Sequence, residues 1–485
     1  MARTAIWSLG ILSSLVLTSF TLLTLSSSAD PIPGWEIPVL IETDDSGTAY
    51  LPQVAADGAG NAIAVWYQSD GTTYNIWANQ YVNGYGWLTA ELIESNDTVS
   101  AYQPQLAMDG MGNALAIWPQ YDGAFLNLSS NRFEAGSGWG TADLIVLNDY
   151  GAYPRPRLAM DDSGIAMAVW SQYSSMQFSI FSDRYAVGAG WGGIELVETV
   201  NLGNAIAPQL ALDGGGNAVA VWMQENGTKS SIWANRYAVG AGWGIAEMIT
   251  ANESAYSTGY SSPQLAADAL GNVIAVWTQY DGIHSDIWAN RYVAGSGWGV
   301  AEKVGADDSV SASSPQVAID AAGNAVATWS EYDGTQFNTS SSRYTINVGW
   351  GTPQLIGTIY SAIPTSPHVA VDVLGNAVTI WSQYDWTRWT IWTNRYVVDA
   401  GWGIAGMIET NNSENATSPQ IAVDPTGNAY AVWEQYDGVR ENIWAAHYIA
   451  PDPTPIPEFS SMPLVAITFL AAIPTIGRLR QRKSE

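Results

Sequence analysis

Eight aspartates recur along the chain, each as the first residue of an Asp-x-x-Gly pattern. They are Asp57, Asp109, Asp161, Asp213, Asp268, Asp320, Asp372 and Asp424. Carboxylates bind hard cations, so calcium is a candidate ligand. An Asp that opens a tight turn more often accepts hydrogen bonds from the amides of its own turn. Because the residue occurs once per unit, we predict eight separate turns, with no metal centre and no cofactor.

Six arginines precede an aromatic residue at the same point of successive units: Arg132, Arg184, Arg236, Arg291, Arg343 and Arg395. We predict that their stems pack on aromatic rings and that their heads pair with carboxylates. The histidines, His284, His368 and His447, lie in different units without metal-binding spacing, and no Gly-x-Ser-x-Gly motif is present. We therefore predict no catalytic residue. Pairs of acidic residues stay open as candidates, because the sequence does not give their separations.

One segment departs from its neighbours. Where other units read Tyr-Asp-Gly, the seventh has two tryptophans and an arginine. Aromatic faces stack on the apolar faces of sugar rings. The predicted ligand-binding residues are Tyr384, Asp385, Trp386, Arg388 and Trp389; the alternative is a local patch or lid that covers a neighbouring unit.

A long repeat organises the whole body of the chain. Its phrase is approximately P-Q-L-A-x-D-x-x-G-N-A-x-A-V-W-x-Q-Y-D-G, then I-W-A-N-R-Y, then G-W-G-x-A-E-x-I. The proline falls at Pro52, Pro104, Pro156, Pro208, Pro263, Pro315, Pro367 and Pro419, at intervals of 52 residues with a single exception of 55. A fixed period of this size indicates stacked supersecondary units.

Each unit reads as four short strands. Asp-x-x-Gly separates the first two, and Asp-Gly separates the second from the third. The second strand, as in Asn217–Trp222, is apolar on both faces and is predicted to be buried on both sides. No helical period is present, so we predict an all-β, eight-bladed β-propeller of four-stranded antiparallel blades.

The ends of the repeat array indicate that the ring closes. The eighth unit stops at Tyr448, after its third strand, and residues 34–42 match the missing G-W-G-x-A-E-x-I segment. An N-terminal strand would thus complete the last blade and leave no unpaired edge. An open superhelical array is the alternative. The propeller is assigned to residues 30–450.

The repeat is similar to other propeller repeats. Its segment Ala422–Trp433 resembles the D-x-x-G-N-x-Y core of NHL-type propellers, and it is also similar to the Asp-box of sialidases. It differs from the Asp-box by an extra turn residue and by the absence of a regular Ser two places before the Asp. Sialidase catalysis would need three converging arginines, whereas the six here are spread along the repeats. The resemblance implies a fold and hardly constrains function.

Both ends of the chain carry export features. Residues 1–29 have an apolar run followed by small residues, which predicts a signal peptide, with an uncleaved anchor as the alternative. A proline-rich linker (451–460) contains Pro457, Glu458 and Phe459, and a hydrophobic segment (461–477) and a basic, cytoplasmic tail (478–485) follow. This order resembles the PEF-CTERM sorting signal of archaeal surface proteins. The resemblance implies an archaeosortase-like processing enzyme as a partner; a permanent membrane anchor is the alternative. Both place the body at the cell surface, outside the cell.

Composition limits the partners. Only 13% of residues are charged, the net charge is −28 and cysteine is absent, so we predict no nucleic-acid partner and no disulfide. Candidate glycosylation sites agree with an exported surface: Asn96, Asn127, Asn226, Asn252, Asn338, Asn411 and Asn415. The sequence favours a non-enzymatic surface propeller that binds a glycan, an envelope polymer or another surface protein. The alternatives are an extracellular glycoside hydrolase or lyase and a structural envelope component.

Overall fold

A computed structural model describes residues 34–451 except 45, 147–154, 175, 201, 227–228, 251–261, 281, 306–309, 359–366 and 411–413. The segments predicted as signal peptide (1–29), hydrophobic segment (461–477) and basic tail (478–485) lie outside the described residues, as does all but residue 451 of the predicted linker. Over the described ranges, no helix has the length and apolarity needed to cross a membrane.

The described residues form eight antiparallel sheets. Seven have their strands in sequence order, and in the eighth the N-terminal strands lie beside the third strand of the last repeat. The first strands of blades 1 to 8 are, in that order, Ala49–Ala56, Gln105–Met108, Arg157–Met160, Ala205–Leu212, Gln264–Ala267, Ser311–Ile319, His368–Val371 and Ala416–Val423. The second strands are Ala62–Ser69, Ala114–Tyr121, Ala166–Ser174, Ala218–Asn226, Val273–Tyr280, Ala325–Tyr332, Ala377–Tyr384 and Ala429–Tyr436. The third strands are Tyr74–Val82, Leu126–Glu134, Gln177–Ala186, Lys229–Ala238, Ser285–Val293, Phe337–Thr345, Trp389–Val397 and Glu441–Ile449.

The fourth strand of every blade consists of two short pieces that both pair with the third strand. In chain order, which puts blade 8 before blades 1 to 7, the first pieces are Gly34–Trp35, Gly86–Trp87, Gly138–Trp139, Gly190–Trp191, Gly242–Trp243, Gly297–Trp298, Gly349–Trp350 and Gly401–Trp402. The second pieces are Val39–Leu40, Glu91–Leu92, Asp143–Val146, Glu195–Leu196, Glu247–Met248, Glu302–Lys303, Gln354–Thr358 and Gly406–Met407.

The sheets form a closed ring. Each first strand contacts the first strands of the two neighbouring blades, and that of blade 8 contacts that of blade 1. The first strands therefore surround the axis, and the fourth strands lie at the periphery. The predicted eight-bladed propeller is confirmed.

The core lies between neighbouring blades. The second strand of blade 4 is buried on both faces from Ala218 to Gln224, as predicted. Its Trp222 is fully buried and packs with Met167 and Val169 of blade 3. The indole Nε1 donates to Gln224 Oε1 at 3.0 Å, which satisfies the one polar atom of this side chain. Each blade thus needs its neighbour in order to bury its apolar faces.

The repeated aspartates stabilise turns, as predicted. Asp213 Oδ1 accepts from the backbone amides of Gly215 and Asn217, both at 2.9 Å. Its Oδ2 accepts from Asn217 Nδ2 at 2.8 Å. The carboxylate is therefore occupied by its own turn. No group of three His, Cys, Asp or Glu side chains that could hold a metal ion occurs in the part of the chain that the structure describes.

The repeated arginines join neighbouring blades. The Arg343 guanidinium of blade 6 lies over the ring of Tyr396 of blade 7, 5.0 Å from its centroid. Its Nη1 donates to Gly375 O at 2.9 Å, and its Nη2 lies 3.6 Å from Asp320 Oδ2. Arg132, Arg236, Arg291 and Arg395 lie over tyrosine rings of the next blade in the same way. This agrees with the predicted packing role.

The seam between blades 8 and 1 uses other residues. His447 stands where most blades have Arg and stacks on Tyr430, with ring centroids 4.8 Å apart. Tyr430 Oη donates to Gly60 O at 2.7 Å, a bond that corresponds to the one from Arg343 to Gly375 between blades 6 and 7. His447 Nδ1 also lies 3.1 Å from Tyr81 Oη of blade 1 and 3.2 Å from Glu36 Oε2, so this seam combines aromatic side chains with one carboxylate.

The N-terminal strand completes blade 8, as predicted. Trp35 pairs with Tyr448, and Leu40 pairs with Trp444. Ile41 is 1% exposed and packs in the core cluster that contains Trp66 and Ile443. The propeller thus begins and ends in one sheet.

Candidate functional site

The turn of the blade 7 hairpin presents an exposed tryptophan. Trp386 has 65% of its surface exposed, and its φ is +74°. Glycine fills this position in blades 1, 2, 5, 6 and 8, with φ between +91° and +106°. A non-glycine residue in this region is strained. Trp386 therefore occupies a turn that favours glycine and gains little burial in return.

Trp389 lies in a strand and not in the turn of the hairpin. It is the first residue of the third strand, opposite Tyr384, and it is partly buried. The two rings lie 5.4 Å apart. Its amide donates to Asn415 Oδ1 at 2.9 Å, which ties it to the connection between blades 7 and 8. The predicted ligand residues are thus brought together around one hairpin, with Trp386 at its tip and Trp389 at its base.

Charged side chains flank these aromatic residues. Arg388 Nε lies 3.9 Å from Asp385 Oδ2. Burial raises the pKa of Glu409, and the charge of Arg388 opposes this shift. Asp385 Oδ1 accepts from the amides of Thr387 and Arg388 at 2.8 and 2.9 Å. The hairpin therefore combines an exposed aromatic face with charged groups held in place, an arrangement suited to binding a polar ligand.

Sequence reasoning missed a tyrosine cluster on blades 1 and 2, which we call the tyrosine patch: Tyr50, Tyr67, Tyr74 and Tyr102. Its neighbouring rings are 5.4 to 6.4 Å apart, and all four side chains are partly exposed. The connection between blades 1 and 2 pairs with the hairpin here, since the Ala101 amide donates to Tyr74 O. The interblade connections and the second hairpins therefore share one rim.

Two glutamates of blade 8 lie beside Tyr50. Glu434 is buried and accepts from the Leu51 amide at 2.7 Å; burial raises its pKa. Burial, followed by the charges of Glu434 and Asp437, raises the pKa of Glu441 to about 7. A carboxyl group that titrates near neutrality can donate or accept a proton. The sequence offers one signal for this glutamate pair, which is the residue type at a single repeat position. Glu434 stands where other blades have Ser, Thr, Met, Pro or Tyr.

Two open crevices lie between blades. One of about 490 Å³ lies between blades 5 and 6 and is lined by Asp286, Trp329 and Glu331. It also exposes Gly305, which stands where other blades have Glu94, Glu198 or Glu409. A second, of about 360 Å³, lies between blades 7 and 8 and is lined by Trp35, Met407 and Tyr448. Neither contains the predicted ligand residues.

The candidate glycosylation sites divide into three groups. Asn96, Asn226 and Asn415 are exposed. Asn127 and Asn338 are buried, and their amides donate to Asp122 and Asp333. Asn252 and Asn411 lie outside the described residues. The first group offers the accessible acceptors.

Buried glutamates make stability depend on pH. Burial is the main cause that raises the pKa of Glu94 to about 8, and Glu94 is only 8% exposed. Between about pH 4.5 and 8 the unfolded chain ionises this group while the folded chain keeps it protonated, so the free energy of unfolding falls as pH rises. We expect Glu94→Gln to remove this contribution and to stabilise the protein at pH 8 by on the order of a few kcal/mol.

Urea unfolding at pH 5 and pH 8 measures this effect. Glu91→Gln, which removes an exposed carboxylate three residues away, is the matched control and should behave like the unmodified protein. An equal difference between the two pH values in the unmodified protein and in Glu94→Gln would contradict the assignment.

The strand pairing and the rim define the class of protein: a closed, eight-bladed β-propeller with aromatic side chains on the rim that carries its interblade connections. No family model matches the chain, and no curated protein matches it either.

Solved structures provide distant similarities. A protein of unknown function from Dyadobacter fermentans is 11% identical, with a TM-score of 0.44, over 87% of this chain and 100% of its own. A polysaccharide lyase, the PL25 ulvan lyase, is 10% identical, with a TM-score of 0.49, over 71% of this chain and 91% of its own. The Aleuria aurantia lectin, solved with a fucosylated sugar, is 14% identical, with a TM-score of 0.36, over 64% and 97%. These identities and TM-scores are too low to carry an argument about this chain. Its eight-bladed fold is therefore established by its own strand pairing.

Proposed function

We propose that this protein is a non-enzymatic, cell-surface propeller that binds a glycan, either free or as part of an envelope polymer or surface protein, through the aromatic side chains of one rim. The observation that carries the proposal is Trp386, exposed and held in a backbone conformation that favours glycine. Backbone strain of this kind is enriched at functional sites. The tyrosine patch on the same rim extends the aromatic surface available to a polymer.

Sugar recognition accounts for the mixed character of the site. Aromatic faces pack against the C–H faces of a pyranose ring, while charged groups bind its hydroxyls. The blade 7 hairpin offers both, with Trp386 beside Asp385 and Arg388. A purely structural envelope component would have no need for an exposed Trp at a strained turn.

The test is a glycan array followed by titration of the sugars that bind, with the full-length protein and Trp386→Gly. Glycine restores the residue of five other blades, so this variant is expected to fold. Loss of one well-used aromatic contact should weaken binding by roughly 10-fold or more. Ile404→Ala, which alters a 98% exposed side chain elsewhere on blade 7, is the control. Equal binding by Trp386→Gly and the unmodified protein would overturn the blade 7 site.

A second candidate function, cleavage of a polysaccharide by a hydrolase or lyase mechanism, is favoured by Glu434 and Glu441. Their raised pKa values and their position beside Tyr50 fit general acid–base chemistry. Any polymer that binds should be incubated with the protein and assayed for new reducing ends. Cleavage that Glu441→Gln abolishes would replace binding by catalysis as the function.

Surface display is part of the proposal. The residues after 451 resemble a PEF-CTERM sorting signal. The repeat itself resembles NHL-type and Asp-box repeats. We propose that an archaeosortase-like enzyme processes this end and fixes the protein to the membrane. Intact-mass measurement of the protein from its native envelope should show that Arg478–Glu485 is absent; if these residues remain attached, a permanent membrane anchor is the correct interpretation.

A further inference from the structure

The axis of the propeller is lined by one residue from each blade, directly after the shared proline. We call these residues the axial ring: Gln53, Gln105, Arg157, Gln209, Gln264, Gln316, His368 and Gln420. Several of these side chains meet their neighbours. Gln420 Nε2 lies 3.3 Å from His368 Nε2, and Arg157 hydrogen-bonds to the glutamines of both adjacent blades. Six positions are glutamine, so Arg157 is the single departure that carries a permanent charge.

The geometry fixes Arg157 without neutralising it. Its Nε donates to Gln209 Oε1 and its Nη1 to Gln105 Oε1, both at 3.1 Å. Nη1 also lies 3.5 Å from Pro156 O. All of these acceptors are neutral. Among the residues that the structure describes, no carboxylate pairs with Arg157, and Nη2 donates to none of them.

The surroundings do not supply a counter-charge. Asp161, the acidic residue of the same blade that opens its turn, accepts from the amides of Ser163 and Ile165 at 2.9 and 3.0 Å. His368 belongs to the blade opposite Arg157; burial, and then the charge of Arg157, lower its pKa to about 4. Burial also lowers the pKa of Arg157 itself. The Arg157 side chain is only partly exposed, and its positive charge is held in place without a carboxylate partner, so an anion that enters from solution would be stabilised here.

We propose that the axial ring binds a small inorganic oxyanion, contacted by Nη2 of Arg157. The planar guanidinium matches the geometry of an oxyanion. Charge-assisted hydrogen bonds of this kind are about twice as strong as neutral ones. The ring is independent of the blade 7 hairpin, so either site can be tested without the other.

The test is calorimetric titration of the full-length protein with sodium sulfate, in sodium chloride of equal ionic strength. We expect saturable binding that Arg157→Gln weakens at least about 10-fold. The variant restores the residue found in six blades, and its thermal midpoint in chloride checks its folding. His368→Gln should retain binding at pH 7, because His368 is neutral there.

Arg155→Gln is the matched control, because it removes an exposed positive charge two residues away and should retain binding. Absence of saturable heat in the unmodified protein would overturn the proposal, and so would equal affinity in Arg157→Gln. In a crystal soaked with selenate, anomalous density should lie beside Nη2 of Arg157. Density only at other sites would also count against the axial ring.

Discussion

Removal of residues 34–42 is expected to destabilise the whole ring. The deletion takes away the outer strand of blade 8 and the buried side chain of Ile41, which packs with Trp66 and Ile443. Loss of one large buried side chain typically costs about 2 to 5 kcal/mol, and the third strand of blade 8 becomes an unpaired edge. The thermal midpoint should fall cooperatively, as one transition for all eight blades.

A point substitution gives a sharper comparison. Ile93 of blade 1 is 2% exposed and Ile41 is 1% exposed, and each donates its amide to the isoleucine carbonyl of the third strand beside it. Ile41→Ala and Ile93→Ala should therefore cost similar free energies of unfolding, although only Ile41 is far from its sheet in sequence. A negligible cost for Ile41→Ala alone, or an unchanged melt of the deleted protein, would show that the N-terminal strand is dispensable.

The free energies of unfolding of three tryptophan-to-alanine variants should distinguish the tryptophan of the core from those of the candidate site. Trp222 is fully buried, so Trp222→Ala is expected to cost roughly 3 to 5 kcal/mol. Trp386→Ala should change the free energy of unfolding by less than about 0.5 kcal/mol, because the side chain is 65% exposed. Trp389→Ala should fall between them, since its ring is partly buried against Tyr384.

Trp386→Gly provides the internal check. Glycine adopts a φ of +74° without the steric cost that other residues bear, so this variant should be as stable as the unmodified protein or up to about 1 kcal/mol more stable. Denaturant unfolding of the four variants measures the series. A loss in Trp386→Ala as large as that in Trp222→Ala would place Trp386 in the core and end the argument for the blade 7 site.

The fold can be predicted from the sequence because the same pattern of strands and turns recurs in eight units. The 52-residue spacing, the Asp-x-x-Gly turns and the match of residues 34–42 to the missing strand are all local patterns. Each is confirmed by the strand pairing. The division of the fourth strand was not predicted, because pieces of two to five residues are too short to leave a periodic signal.

The site follows from the sequence only in part. Trp386 is visible as a non-glycine residue at a glycine position, but Trp389 belongs to the strand, where its counterpart in blade 1 is Tyr74. The tyrosine patch escapes detection because its rings come from two blades and from separate strands. Burial of Asn127 and Asn338 depends likewise on which face of a strand meets the next blade. Such contacts depend on how neighbouring sheets pack, and this packing cannot be predicted from the sequence of a single repeat.

The shared sheet of blade 8 also bears on how the protein carries mechanical load. Its third strand, Glu441–Ile449, is hydrogen-bonded on one side to the second strand and on the other to residues 34–40. Force applied to the chain after Ala450 pulls this strand along its own axis, so the bonds on both flanks resist together instead of breaking one after another. Without residues 34–40 the strand would be held on a single side. Residues 34–40 thus reinforce the last strand of the propeller, which is the strand that a tether at the C-terminus would load.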